Sequence, residues 1–131
     1  MKVRQAVNYA VDVQKIITQI KNGNATAASG PIPPGLIDPY PEMAYTYDPE
    51  KARLLLAEAG YKAGFSIELW QSQSAGVLNV TEAIQAHLSA VGIQVKIVRS
   101  DWNMFSKAIT GGKADMFYRS WYADYPMQRI F

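Results

Sequence analysis

The sequence predicts an α/β fold: a parallel-rich β-α-β-α-β sheet flanked by helices, in a single domain over residues 1–131. Three observations predict it. From residue 65 onward, short segments of period two alternate with segments of helical period, the pattern of strands joined by crossover helices. The helical segments carry their own start and stop residues. The 131 residues are 49% hydrophobic and 18% charged, enough for one core.

Apolar residues at 3, 6, 7, 10, 13, 16, 17 and 20 have helical spacing. Asp12 breaks the run by capping a second helix over 13–21, and "NGN" at 22–24 ends it. Residues 22–48 form a long connection with five of the seven prolines. Within it, "SGPIPPG" must be extended or turning. Ile32, Leu36, Ile37 and Tyr40 give the connection something to bury, so it reads as an ordered excursion over the surface. "YDPEKARLLLAEAGY" at 47–61 is the clearest helix. Asp48 caps it, Pro49 fits its first position, and Ala52, Leu55, Leu56 and Ala59 form its buried stripe. Gly60 suits the left-handed residue after its last turn.

"FSIELWQ" (65–71) reads as a strand and "VLNVTEAIQAHLSAV" (77–91) as a helix that Gly92 ends. "IQVKIVR" (93–99) is the next strand. "WNMFSKAI" (102–109) is a short helix, with Asp101 as cap and Gly111-Gly112 as its end. "DMFYRSW" (115–121) is the last strand. In open parallel sheets, ligands bind beyond the carboxyl ends of the strands. Those ends are Gln71-Ser72, Arg99-Ser100 and Trp121 to Asp124. Five of the fifteen aromatic residues fall within 117–125, which strengthens that placement.

Composition excludes several functions. The 13 Lys and Arg against 11 Asp and Glu leave a formal charge of +2 with no basic block, so nucleic acid is not an expected partner. Zero cysteines exclude disulfides, thiolate zinc sites and cysteine catalysis. With His87 as the only histidine, a histidine metal cluster is excluded as well. His87 reads as a solvated helix residue, and Trp102, Met104 and Phe105 as core or lobe packing. No apolar run reaches the ~18 residues of a membrane span. "MKVRQAVNYAVD" lacks the apolar stretch and cleavage site of a signal peptide. There is no G-x-S-x-G, G-x-G-x-x-G or Walker loop, and "TGGK" at 110–113 ends a helix instead of opening one. No cofactor is expected.

"SWYADYP" at 120–126 sets one carboxylate, Asp124, among three rings. Asp124 is either a turn residue before Pro126 or a carboxylate in an aromatic pocket that pairs with a cation. An ammonium would also find the ring faces of Trp121, Tyr122 and Tyr125 there. Two-carboxylate acid–base chemistry needs a partner, and Asp115 lies about 30 Å away along the same strand by extended spacing. Strand alternation puts Arg119 and Trp121 on one face. Arg119 is then either paired in a buried network or directed at the cleft. No nucleophile, base and orienting group occur together, so a binding module is favoured over an enzyme. The alternatives are a small hydrolase or transferase using Asp124, and a protein-interaction domain using the 117–125 aromatic patch.

The chain also resembles the C-terminal lobe of the peptide-type (family 5) solute-binding proteins of ABC transporters, which take up dipeptides, oligopeptides, nickel and haem precursors. The segments that carry the resemblance are "VRQAVNYAVDVQKII" (3–17), "NGNATAASGPIPPG" (22–35), "YTYDPEKARLLLAEAGY" (45–61), "EAIQAHLSAVGIQVKI" (82–97), "DWNMF" (101–105), "GGKADMF" (111–117) and "WYADYP" (121–126). They stand in the family's order and spacing and cover nearly the whole chain.

The resemblance implies one lobe of a type II periplasmic-binding-protein-like fold, which closes on its ligand against a second lobe and docks on a membrane permease. It implies a periplasmic or extracytoplasmic location and no catalysis. The chain begins inside a helix and stops soon after the cleft strand, so it is expected to be an excised part of a longer polypeptide, with Met1 added for expression and its signal peptide elsewhere. In peptide binders of the family, the aspartate of W-x-x-D pairs with the ligand's α-ammonium; Trp121 and Asp124 occupy that pattern. The preceding strand pairs with the peptide backbone, at positions that correspond to Ser120, Trp121 and Tyr122. Two departures stand out. Met127 and Gln128 replace the usual Asp-Pro or Glu-Pro continuation. Arg119 stands one position away from the arginine that some oligopeptide binders use for the ligand's carboxylate.

Overall fold

The computed structural model of the protein describes residues 1–28, 45–74 and 76–120. The central part of the proline-rich connection, and Trp121, Tyr122, Asp124 and Tyr125, lie outside the described residues. Eight elements follow in order: α1 (Lys2–Ala10), α2 (Val13–Gln19), α3 (Pro49–Glu58), β1 (Phe65–Ser72), α4 (Leu78–Ala90), β2 (Ile93–Ser100), α5 (Trp102–Thr110) and β3 (Met116–Tyr118).

The predicted helix boundaries have local causes. Asp12 Oδ1 accepts from Lys15 N at 3.0 Å and opens α2. Asn22, at φ 49°, and Gly23, at φ 77°, take the left-handed conformations that follow α2. Asp48 Oδ1 accepts from Lys51 N at 3.0 Å and opens α3, with Pro49 in the first turn. The Asp48 N–H also donates to Tyr9 O at 2.8 Å, which ties the start of α3 to α1. Across the same junction, Lys51 Nζ lies 4.3 Å from the centre of the Tyr9 ring. The Tyr9 side chain, and then Asp48, hold the Lys51 pKa above the ordinary lysine value.

The three strands are parallel in the order β2-β1-β3. Phe65 to Ser72 run opposite Ile93 to Ser100, and Leu69 to Gln71 run opposite Met116 to Tyr118. The step from β1 to β2 goes one way across the sheet, and the step from β2 to β3 returns past β1. Right-handed crossovers then require α4 and α5 to cover opposite faces. The packing agrees. Leu69, Ile93, Val95 and Leu88 of α4 share a core with Ala6 and Ala10 of α1 and Ala52 and Leu56 of α3. The next residue of β1, Trp70, turns to the other face and packs with Phe105 and Ala108 of α5. Alanines with no more than 1% exposure at Ala6, Ala10 and Ala52 let α1 and α3 approach closely.

The last strand is shorter than predicted. It ends at Tyr118, and Arg119 and Ser120 continue without strand pairing, so the alternation invoked for Arg119 and Trp121 does not extend past Tyr118. Trp102 and Met104 are not core residues either: they are 54% and 57% exposed, and of the three only Phe105 is buried. His87 is half-buried rather than solvated. Its Nδ1 is enclosed without a hydrogen-bond partner among the described residues, and its ring lies 6.1 Å from that of Tyr47.

The amino ends of β1 and β2 meet at a pair of glycines. Gly64 has φ +82°, and a Cβ there would stand 2.2 Å from Gly92 O. Relief would require moving the backbone that aligns the two strands, because Phe65 N donates to the same carbonyl at 3.3 Å. Gly64→Ala is expected to lower unfolding free energy by roughly 2 kcal/mol or more. Urea denaturation reads this directly, and a loss within ~0.5 kcal/mol, typical of a neutral surface change, would contradict the close approach.

Candidate functional site

The strand order determines where a ligand can enter. β1 and β3 are neighbours, and the connection leaving β1 through α4 and the one entering β3 through α5 lie on opposite faces, so their carboxyl ends flank a topological switch point. A crevice of about 600 Å³ lies there. Ser72, Gln73 and Ser74 line it from the end of β1, with Val77 just before α4. Asp101, Trp102 and Phe105 line it from the start of α5, and Tyr118, Arg119 and Ser120 from the end of β3. A groove of similar size, about 590 Å³, runs past Leu54, Tyr61 and Gly92 near the opposite, amino ends of the strands. Volume therefore does not choose between them; topology does.

The crevice has a polar side and an aromatic side. Ser72 Oγ and Ser74 Oγ are 3.0 Å apart. Asp101 Oδ1 accepts from Asn103 N at 2.9 Å and from Met104 N at 3.1 Å, so its carboxylate caps α5 and offsets the positive end of that helix. The Arg119 guanidinium lies 5.2 Å over the Trp102 ring, within cation–π range. Trp102 in turn contacts Phe105, with ring centres 5.7 Å apart. The site thus presents hydroxyls, one arginine and an aromatic wall: groups that bind and orient a polar ligand with apolar parts.

Of the predicted site residues, Arg119 and Ser120 are described, and both are exposed and line the crevice. Trp121, Tyr122, Asp124 and Tyr125 lie outside the described residues. Asp115 is engaged elsewhere: its Oδ2 accepts from Glu68 N at 3.1 Å, while Glu68 accepts from Trp70 Nε1 at 3.0 Å. Among the described residues, no group of three or more His, Cys, Asp or Glu could hold a metal ion. No helix of the described residues is long and apolar enough to cross a membrane.

Sequence reasoning missed Asp101, Trp102 and Val77 as crevice residues: Asp101 reads as a cap, Trp102 as packing and Val77 as the start of a helix. The signal for the first two was their position immediately after the carboxyl end of β2. It also missed a buried polar pair beneath the crevice. Gln71 and Thr81 are fully buried, and Thr81 Oγ1 donates to Gln71 Oε1. Gln71 Nε2 has no partner among the described residues. A buried polar group left unpaired costs about 1–3 kcal/mol.

Comparison with known proteins gives a consistent pattern. The family model described as bacterial extracellular solute-binding proteins, family 5 middle, matches residues 1–130. The dipeptide-binding protein of Escherichia coli K12 is 39% identical over 130 residues, covering 95% of this chain and 24% of that protein. Heme-binding protein A of Haemophilus influenzae is 35% identical, again over 95% of this chain and 24% of the relative. Among solved structures, the dipeptide-binding protein of Pseudoalteromonas sp. SM9913 in complex with Met-Leu superposes with a TM-score of 0.86 and 33% identity. That match covers 95% of this chain and 26% of the other. The chain therefore spans about a quarter of the length of each of these three relatives.

Proposed function

The chain belongs to family 5 of the bacterial extracellular solute-binding proteins, and from that premise we propose that it is part of the ligand-binding lobe of a peptide receptor serving ABC-type uptake. The lobe is the C-terminal one. The rest of the polypeptide supplies the facing lobe, the complete protein works outside the cytoplasm, and a membrane permease receives its cargo. The cargo is a dipeptide or short oligopeptide with a free amino terminus. Asp124 anchors the ammonium, the backbone of Ser120, Trp121 and Tyr122 pairs with the peptide, and the rings of Trp121, Tyr122 and Tyr125 form the wall.

One observation carries this reading. The crevice at the β1/β3 switch point is lined up to Ser120, the residue that leads directly into the W-x-x-D stretch. The relative solved with Met-Leu adds support for the ligand class. The hydrolase or transferase alternative and the interaction-domain alternative gain nothing from the comparisons, since the relatives are named as binding proteins.

Two measurements test it. In a thermal-shift screen of the full-length polypeptide against peptides, amino acids, opines and metal chelates, peptides with a free amino group are expected to raise the melting temperature most. A response to metal chelates or opines alone would overturn the peptide assignment. The isolated 131-residue chain is expected to bind Met-Leu weakly or undetectably in calorimetry, because only one side of the ligand is contacted. Submicromolar binding by that chain would show that no facing lobe is needed.

A further inference from the structure

The amino-terminal end of α4 is held in an unusual way. Its N-cap residue is Val77, which makes no side-chain cap hydrogen bond. The segment just before it, with Gln73, Ser74 and Val77, lines the crevice. What ties the start of this helix to the sheet is the buried bond from Thr81, in its first turn, to Gln71 at the end of the central strand.

That bond is poorly explained by stability. The Thr81 hydroxyl also lies 3.0 Å from Leu78 O and 3.3 Å from Val77 O, yet it has one proton for these acceptors. Turning the amide over, so that Nε2 donates to Oγ1, releases the hydroxyl to Leu78 O but leaves Oε1 unpaired. In either orientation one end of the Gln71 amide is buried without a partner among the described residues. Two apolar side chains of similar shape would fill the space without that defect.

Position explains the bond better. Gln71 is followed by Ser72 and stands opposite Tyr118 in register, and both of those residues line the crevice. We propose that Gln71 and Thr81 are positioning residues that clamp the crevice wall of Gln73, Ser74 and Val77 to β1 and so set the shape of the ligand site. The consequence for peptide binding rests on the function proposed above; the clamp itself does not.

The test uses the double variant Gln71→Leu/Thr81→Val and the conservative variant Thr81→Ser. By NMR amide exchange on this chain, the double variant is expected to exchange the amides of Val80 and position 81, which donate to Val77 O at 3.2 Å, about tenfold faster while its melting temperature stays the same or rises. Thr81→Ser is expected to keep wild-type exchange. If the double variant does not fold, Thr81→Val alone is expected to give the same faster exchange, with a lower melting temperature because the buried Gln71 amide then loses its Thr81 bond. Unchanged exchange at those amides, or acceleration spread evenly over β1 and α4, overturns the clamp. In the full-length polypeptide, the double variant is expected to bind Met-Leu about tenfold more weakly and Thr81→Ser normally. Equal affinity of all three proteins overturns the link to the site. No Met-Leu binding by the wild type overturns the peptide reading and with it that link, while the exchange result still decides the clamp.

Discussion

Asp124→Asn in the full-length polypeptide is expected to weaken binding of Met-Leu by about 3–5 kcal/mol, the cost of breaking a desolvated ion pair on one side. That corresponds to a loss of roughly a hundredfold to a thousandfold or more in affinity. The substitution keeps the size of the side chain and removes its charge, so the ammonium of the peptide is left without its counter-ion among the rings. N-acetylation of the peptide removes the same interaction from the other side and is expected to produce a loss of similar size. Applied together, the two changes lose less than the sum of their separate effects, because both remove one pair. Calorimetry on the four combinations measures this coupling. Full affinity in Asp124→Asn removes Asp124 from the site.

The second large effect concerns the fold. Leu69 is fully buried in β1, the middle strand, opposite Ile97 on one side and Met116 on the other. Leu69→Ala is expected to destabilise the protein by about 2–5 kcal/mol, through lost burial and the cavity left behind. That is a large share of the ~5–15 kcal/mol typical of a whole domain. Leu54→Ala is the matched control: Leu54 is 65% exposed on α3, and its truncation is expected to stay within about 0.5 kcal/mol. Urea denaturation of both separates the central strand from the surface. Equal losses at the two positions would contradict the assignment of β1 to the core.

The contrast between these leucines shows what was readable in the sequence. Helical period placed Ala52 and Leu56 inside, while Leu54, two residues from each, faces water. The caps at Asp12, Asp48 and Asp101 were readable because a cap is a local bond that spans two or three residues. The parallel β-α-β-α-β pattern followed from alternating period. Its consequence, a candidate site at the carboxyl ends, required only the rule for open sheets, and a crevice lined by Arg119 and Ser120 is found there.

What was not readable depends on contacts between elements distant in the chain. Trp102 and Met104 look like core residues by type, but α5 buries its Phe105 and Ala108 side against Trp70 and leaves the other two exposed. His87 sits off the apolar stripe of α4, yet it is half-buried and lines a small pocket together with Lys15, Ile16, Gln19 and Ile20. Its half-burial could not be read from α4 alone. Gln71 reads as the carboxyl end of a strand, and nothing in its segment or in α4 pairs it with Thr81. Only the packing of α4 on the sheet brings them together. The order β2-β1-β3 is likewise a property of strand pairing rather than of any one segment.

The central claim is that a peptide sits at the carboxyl ends of β1 and β3 with its amino terminus on Asp124. A crystal structure of the full-length polypeptide with Met-Leu tests it most directly. The ligand's ammonium is expected within hydrogen-bond distance of the Asp124 carboxylate, with the peptide against Ser120 and the crevice that Ser72, Trp102 and Arg119 line. A peptide bound elsewhere, such as the groove beside Leu54 and Tyr61, or one with its ammonium turned away from Asp124, would contradict it.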